Sequence, residues 1–324
     1  MVKLIALYPG QGSQFPKMAL DLFDASKKVQ DLFALASEVC SEDLYKILSE
    51  GSEQDLQDTR VTQLVVTLAN RAAYTRLQEK GVDFLCHAGF SLGELSAYAA
   101  GGIFDEKTLF TIVKKRGLLM AKAAGEAEKK QGKLGMAAVI GLGFAEVETL
   151  LKTEKIEGLY CANDNGPKQV VISGRESMIA QAKDLLMGNG ARKVIPLKVS
   201  GPFHTPFMDD ATAEFSEFLA SCTFFDPIEP VISSVNGDFV QSKKEALSHI
   251  SRQLASPLRW TATMQRAVAF ADKQESVLIG ELGGKDVLSG LWRSSGLPYS
   301  CKCIGTEAAI ETIGIQEKEV LYGK

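Results

Sequence analysis

Gly89-Phe90-Ser91-Leu92-Gly93-Glu94 is a G-x-S-x-G sequence. A mostly apolar run, Val82 to Ala88, precedes it, and a helical pattern, Glu94 to Ala100, follows. A serine on such a strand-to-helix turn is a nucleophile elbow, in which the turn is so sharp that small residues must flank it; Gly89 and Gly93 supply them. The turn lifts the hydroxyl out of the backbone and aims a helix N-terminus at it. The backbone N–H of Leu92 is then placed to stabilise an oxyanion. The same residues also suit an ordinary Gly-rich βα turn with a serine N-cap. The rest of the chain decides between the two.

On the N-terminal side, Lys3 to Tyr8 reads as a short buried strand running into the Gly-rich loop Pro9-Gly10-Gln11-Gly12-Ser13-Gln14. Helical patterns follow over 19–40 and 44–48, and Thr62 to Gln78 is a long, largely apolar helix. Beyond the elbow, Glu106 to Ala123 has apolar residues at helical spacing. This alternation predicts an α/β core with a mainly parallel sheet.

The middle of the chain changes character. Gly125 to Gly132 is polar and reads as a linker. Strands are expected over 136–140, 159–162, 169–173 and 191–197, with helices over 144–151 and 176–187. The order β-α-β-β-α-β is that of a ferredoxin-like unit. The expected organisation is a core of residues 1–130 and 198–324 with a small domain, 131–197, inserted in it. The chain re-enters the core through Val199-Ser200-Gly201-Pro202-Phe203-His204-Thr205-Pro206, and a helix follows over 209–220. A cleft between two such units is a common ligand site. From about Trp292 onward no motif is legible.

Composition bounds the function. The 324 residues are 45% hydrophobic and 23% charged, with a net charge of -4, which argues against a dedicated nucleic-acid binder. The basic runs Lys114-Lys115-Arg116 and Lys129-Lys130 are short. No segment approaches the roughly 20 apolar residues that span a membrane, and the apolar run at Leu4 to Tyr8 is too short for a signal peptide. Six cysteines without a C-x-x-C pair or a His cluster fit neither a disulfide framework nor a metal site. The expectation is a cytoplasmic protein without a metal.

A serine hydroxyl needs a base to take its proton. Of three histidines, His87 lies in the strand before the elbow and is expected to pack in or beside the sheet; His249 sits in a polar helical stretch and is expected at the surface. His204, between Pro202 and Pro206 just after the insert, is the candidate base, with a structural role as its alternative. The Pro9 to Gln14 loop is either an ordinary turn or the source of a second oxyanion donor, since Gly10 and Gly12 let the backbone come close.

With the loop Gly10 to Gln14, the elbow Gly89 to Glu94, the run Arg116-Gly117-Leu118-Leu119-Met120 and the stretch Gly201 to Pro206, the chain resembles the malonyl-CoA:acyl-carrier-protein transacylases. The likeness extends to Asn163-Asp164-Asn165 with Gln169 to Gly174, and to Gln253-Leu254 before Pro257, and covers residues 3 to about 291. It implies an α/β-hydrolase-like core with a ferredoxin-like insert. It implies that Ser91 attacks a thioester, that His204 is the general base, and that the N–H groups of Gln11 and Leu92 form the oxyanion hole. It assigns Arg116 to the malonyl carboxylate by a bidentate ion pair, against the alternative of one more helix-face cation. It gives the backbone carbonyl of Gln253 the task of orienting the imidazole, and places Gln63 and Asn163 at the site. The implied substrates are a CoA thioester and the phosphopantetheine thiol of an acyl carrier protein, with no tightly bound cofactor.

Two positions depart from the family pattern. Phe90 stands where the family usually has histidine before the serine, and Gly283-Gly284-Lys285 where it has a Gly-Pro-Gly turn. Phe203, before His204, resembles the malonyl-using members and would crowd an α-methyl branch; a core aromatic is its alternative. Functionally, malonyl transfer in fatty acid or polyketide biosynthesis leads. Hydrolysis of stalled acyl groups from carrier proteins is the alternative, and a non-catalytic interaction protein a third.

Overall fold

The computed structural model describes residues 2–199 and 201–313. In chain order its elements are β1 (Lys3–Tyr8), α1 (Leu20–Ala25), α2 (Lys27–Cys40), α3 (Leu44–Glu50), α4 (Thr59–Glu79), β2 (Asp83–Gly89), α5 (Gly93–Ala100) and α6 (Glu106–Gln131). There follow β3 (Leu134–Ile140), α7 (Phe144–Thr153), β4 (Leu159–Gly166), β5 (Gln169–Arg175), α8 (Glu176–Gly188) and β6 (Lys193–Pro196). The remainder comprises α9 (Asp209–Leu219), β7 (Val231–Ile232), α10 (Lys243–Gln253), α11 (Trp260–Ala271), β8 (Val277–Glu281), α12 (Val287–Ser295) and β9 (Cys301–Cys303).

β1 is apolar from Leu4 to Leu7 because it lies at the centre of a sheet covered on both faces. The sheet order is β7-β2-β1-β8-β9, and every pairing is parallel. One face packs Leu4 and Ala6 against α2, α4, α5 and α6; the other packs Ile5 and Leu7 against α11 and α12. The second sheet, β4-β5-β3-β6, is antiparallel throughout, which is the ferredoxin-like order for its element sequence. Its own core includes Val139, Val147, Ile172 and Leu186. The fold is therefore α/β, an α/β-hydrolase-like parallel sheet with a ferredoxin-like unit carried between α6 and α9.

Two contacts seat the small sheet on the large one. Leu258 donates its N–H to Ala162 O, and its own carbonyl accepts from Asp164 N, both at 2.9 Å, which bridges β4 to the start of α11. The guanidinium of Arg259 lies over the Phe144 ring at 4.4 Å.

Three expectations need correction. The polar stretch over 125–132 is not a linker: α6 continues to Gln131, with Ala123, Ala124 and Ala127 buried on one side and the charges outside. The helical pattern over 19–40 is two helices, divided at Ser26, whose hydroxyl caps α2 by accepting from Val29 N. His249 is buried rather than at the surface. Ser200 and residues 314–324 lie outside the described residues.

Candidate active site

The elbow forms because β2 ends against β1. Phe90 N donates to Tyr8 O at 2.9 Å, and Gly93 N donates back to Phe90 O at 2.9 Å. A Cβ on Gly89 would strike the backbone of Gly93, and one on Gly93 would strike the Tyr8 carbonyl. Ser91 is thereby forced to φ +53°, a left-handed conformation that costs a non-glycine residue roughly 1–3 kcal/mol.

The other wall of the elbow is the Pro9–Gln14 loop. Gly10 is needed there because a Cβ would collide with the Phe90 carbonyl. That Cβ position lies 3.5 Å from Leu92 N, so the two loops touch. Ser13 and Asn70 fix the loop by donating to Gly10 O at 2.8 Å and Pro9 O at 2.9 Å. Among the described residues, neither Gln11 N nor Leu92 N donates to a protein acceptor. Two adjacent amides are thus left for a ligand oxygen, at the N-terminus of α5.

His204 is brought to Ser91 from across the cleft. It too is left-handed, at φ +61°, and its backbone N–H is pinned to Leu254 O at 2.9 Å. Its Nε2 is 2.9 Å from Ser91 Oγ, and its Nδ1 is 2.9 Å from Gln253 O. A carbonyl only accepts, so Nδ1 carries the proton and Nε2 is the lone-pair nitrogen facing the hydroxyl. Burial, and then the nearby Arg116 charge, push the imidazole down to about 4.

Arg116, on α6, is 1% exposed. Its Nη1 donates to Gln63 Oε1 at 2.6 Å, and its Nη2 to Gln253 Oε1 at 2.8 Å and Ser91 Oγ at 3.3 Å. All three partners are neutral. Burial lowers the guanidinium to about 10, partly offset by Glu94, so it stays charged at neutral pH. Gln63 Nε2 reaches on to Gln11 Oε1 at 3.5 Å.

The sequence reading missed Glu94 and the side chain of Gln253. Glu94 is fully buried in the first turn of α5. Its Oε1 accepts from Tyr98 Oη at 3.1 Å, from Ser234 N at 3.1 Å and from Ser233 Oγ; its Oε2 accepts from Ser234 Oγ at 2.8 Å and from Gln253 Nε2. Gln253 Nε2 also donates to Ser91 O at 3.0 Å. One glutamine therefore holds His204 by its backbone and Arg116 and the elbow by its side chain. A carboxylate inside an otherwise apolar helix turn was the available signal, because Glu is almost never buried without partners.

These groups open into a cleft of about 490 Å³ between the two sheets. Asn163, Phe203, Met120 and Phe90 line it together with Ser91, His204 and Gln11. Phe90 packs edge-on against Trp260 with centroids 5.4 Å apart, so the ring that replaces the family's usual histidine is part of an apolar wall. His87 is buried in the large sheet, bonded to Tyr8 Oη at 2.9 Å and Glu229 Oε2 at 2.6 Å, and takes no part in the site. Among the described residues, no cluster of His, Cys, Asp and Glu is arranged to hold a metal.

The chain is similar in sequence and fold to known acyltransferases. The sequence model of the acyl transferase domain matches residues 6–280. A malonyl CoA-acyl carrier protein transacylase of Bacillus subtilis is 33% identical over 293 residues, 90% of each chain. The malonyl-CoA:acyl carrier protein transacylase (MCAT) structure from Streptococcus pneumoniae superposes with a TM-score of 0.88 at 30% identity, covering 97% of this chain and 99% of that one. A malonyl-transacylase solved in complex with a type II polyketide synthase acyl-carrier protein superposes with a TM-score of 0.86 at 31% identity, covering 98% of this chain and all of that one (100%). Fold, site and sequence together place the chain in the acyl transferase domain family, among the malonyl-CoA:acyl carrier protein transacylases.

Proposed function

We propose that the protein moves a malonyl group from CoA through an acyl-serine to the phosphopantetheine thiol of an acyl carrier protein, in fatty acid or polyketide biosynthesis. The observation that carries the mechanism is the chain of contacts from Ser91 Oγ through His204 to Gln253 O, with each link 2.9 Å long.

Ser91 attacks the thioester carbonyl as its proton passes to His204 Nε2. The carbonyl oxygen becomes an oxyanion held by the N–H groups of Gln11 and Leu92. The C–S bond breaks, CoA leaves, and His204 returns the proton to its sulfur. The carrier thiol then attacks the malonyl-serine, giving its proton to His204. Collapse expels Ser91, which takes that proton back. No triad carboxylate is required, because the Gln253 carbonyl fixes the tautomer. No tightly bound cofactor enters any step.

Arg116 receives the free malonyl carboxylate. A buried guanidinium whose direct hydrogen-bond partners are all neutral, with Glu94 acting only through Gln253 and at longer range, is an under-compensated charge, and an incoming carboxylate supplies a direct anionic partner. Gln63 holds one arm of the fork for it, and Asn163 faces the acyl chain from β4. Phe203, buried beside His204, leaves little room for a branched acyl group. Residues 131–197 act as an inserted small domain that closes the cleft over the core, 1–130 and 198–324. Six unpaired cysteines support a reducing, cytoplasmic setting.

The test is intact-protein mass after brief exposure to malonyl-CoA. The wild type gains one malonyl group and Ser91→Ala gains none. An adduct that survives in Ser91→Ala would remove the serine from the mechanism.

A further inference from the structure

The face of β1 that packs on α2, α4, α5 and α6 is apolar at Leu4 and Ala6 and then carries a phenol, Tyr8. A phenylalanine would fill the same space, so packing alone does not account for the hydroxyl. Tyr8 Oη lies 2.9 Å from His87 Nδ1, and His87 Nε2 lies 2.6 Å from Glu229 Oε2. Tyr8 and His87 are wholly buried, whereas Glu229, in the loop between α9 and β7, reaches solvent. A carboxylate only accepts, so Nε2 carries the proton and Nδ1 takes the hydrogen bond from the phenol. Burial, joined by the Arg71 charge, pushes the imidazole down against the pull of Glu229 and keeps it neutral. The rings of Tyr74 and Phe84 close round it, with centroids 6.0 and 5.6 Å away. Each buried proton in this phenol–imidazole–carboxylate chain has an acceptor.

The chain ends directly behind the oxyanion loop. Tyr8 is the last residue of β1, and its carbonyl accepts from Phe90 N at 2.9 Å, at the base of the elbow. The next two carbonyls are held as well, Pro9 O by Asn70 Nδ2 at 2.9 Å and Gly10 O by Ser13 Oγ at 2.8 Å. Gln11, whose N–H is left for a ligand oxygen, comes next. His87 stands four residues before Ser91, and its own N–H is pinned to Pro230 O at 2.9 Å, beside Glu229. That loop hangs from α5: Ile228 N donates at 2.8 Å to the carbonyl of Gly101, which caps the far end of the helix that begins in the elbow. The two strands whose ends supply the oxyanion amides, β1 and β2, are thus tied side chain to side chain just before their loops diverge.

We infer that Tyr8, His87 and Glu229 are positioning residues for acyl transfer: they lock the end of β1 against β2 and so hold the amides of Gln11 and Leu92 at the spacing an oxyanion needs. None of the three touches substrate, and they act through the Tyr8 backbone. The inference rests on the acyl-transfer reading above and adds to it the support behind the oxyanion hole. An oxyanion donor acts on the transition state more than on the bound substrate, so a misplaced one lowers kcat and spares KM.

Tyr8→Phe removes one oxygen, keeps the ring and leaves His87 Nδ1 without its donor. It is expected to lower kcat about tenfold, a part of the roughly 100- to 1000-fold that a lost oxyanion donor costs, with KM for malonyl-CoA within about twofold. The loss is expected to be equal for acetyl-CoA, which uses the same amides but has no carboxylate for Arg116. Glu229→Ala is expected to lower kcat about threefold, and Glu229→Gln, which still accepts from Nε2, to restore it. Nitrogen-15 NMR of histidine-labelled protein reads the bonding directly, because the chain has three histidines. His87, identified as the imidazole that both Tyr8→Phe and Glu229→Gln shift, is expected as the Nε2–H tautomer, opposite to His204. An Nδ1–H tautomer at His87, a Tyr8→Phe enzyme that loses stability but keeps wild-type kcat, or a loss confined to KM would overturn the proposal. Wild-type Ser91 that takes no malonyl group from malonyl-CoA would sink the acyl-transfer reading; normal wild-type acylation with an unaffected Tyr8→Phe would sink the positioning role alone.

Discussion

Arg116 and His204 meet at one oxygen. Ser91 Oγ is 3.3 Å from Arg116 Nη2 and 2.9 Å from His204 Nε2. A charged guanidinium this close to a neutral imidazole keeps the base unprotonated and, at the same time, waits for an anion of its own.

The pH dependence follows. With His204 held down to about 4, the base is available across the neutral range, and the rate of Ser91 acylation falls only as the pH drops toward 4. The same shift links to stability. Unfolded histidine titrates near 6.5, so between about 6.5 and 4 the unfolded chain binds the extra proton and stability declines as the pH falls through that window. In Arg116→Ala one cause of the depression is gone, and the acid limb moves upward. Acylation by acetyl-CoA, which has no carboxylate to lose, measures it; an unmoved limb would separate Arg116 from the base.

Arg116→Ala also tests the carboxylate role. Losing one partner of a buried charged hydrogen-bonded pair costs about 2–5 kcal/mol, so kcat/KM for malonyl-CoA is expected to fall roughly 30- to 5000-fold. The loss for acetyl-CoA is expected to be much smaller. Equal losses for both substrates would argue against the clamp.

Glu94 anchors the site from beneath. Glu94→Ala strips the Gln253 side chain, two serines and Tyr98 of their common acceptor, and is expected to cost about 3–5 kcal/mol in urea denaturation. Glu94→Gln keeps the shape and part of the bonding and should lose less. A cost under about 1 kcal/mol for Glu94→Ala would mean the network is dispensable.

Gly93→Ala places a methyl group against the Tyr8 and Pro9 carbonyls. Neither is a flexible side chain, so β1 and the elbow must part. Folded protein is expected to lose about 3 kcal/mol or more along with Ser91 acylation. A fully active Gly93→Ala enzyme would contradict the close approach of these loops.

Much of this was legible in the sequence because the constraint was local. The glycines around Ser91, the loop after β1 and the Pro-flanked His204 each announce a sharp turn, and the chain order β-α-β-β-α-β shows in its periodicity. What escaped depended on distant packing. Ala123 and Ala127 bury one side of α6 beyond Ala123, but four charges over 126–130 hide so narrow a stripe. His249 is buried because Ala246, Ile250 and Gln253 share its face of α10, a spacing masked by the polar residues between them. Glu94 and the Gln253 side chain lie 159 positions apart, and only the folded elbow brings them together. The resemblance named Arg116 for its role, but that its direct hydrogen-bond partners are all neutral is visible only in three dimensions.

The most direct measurement is the fate of the isolated malonyl-enzyme. Protein acylated by malonyl-CoA and freed of excess substrate is mixed with holo acyl carrier protein, or with buffer alone, and both are followed by intact mass. The account predicts an adduct stable in buffer that passes to the carrier within the mixing time and appears there as malonyl-carrier. An adduct lost to water at the same rate with or without carrier, leaving free malonate, would contradict it and make the protein a thioester hydrolase.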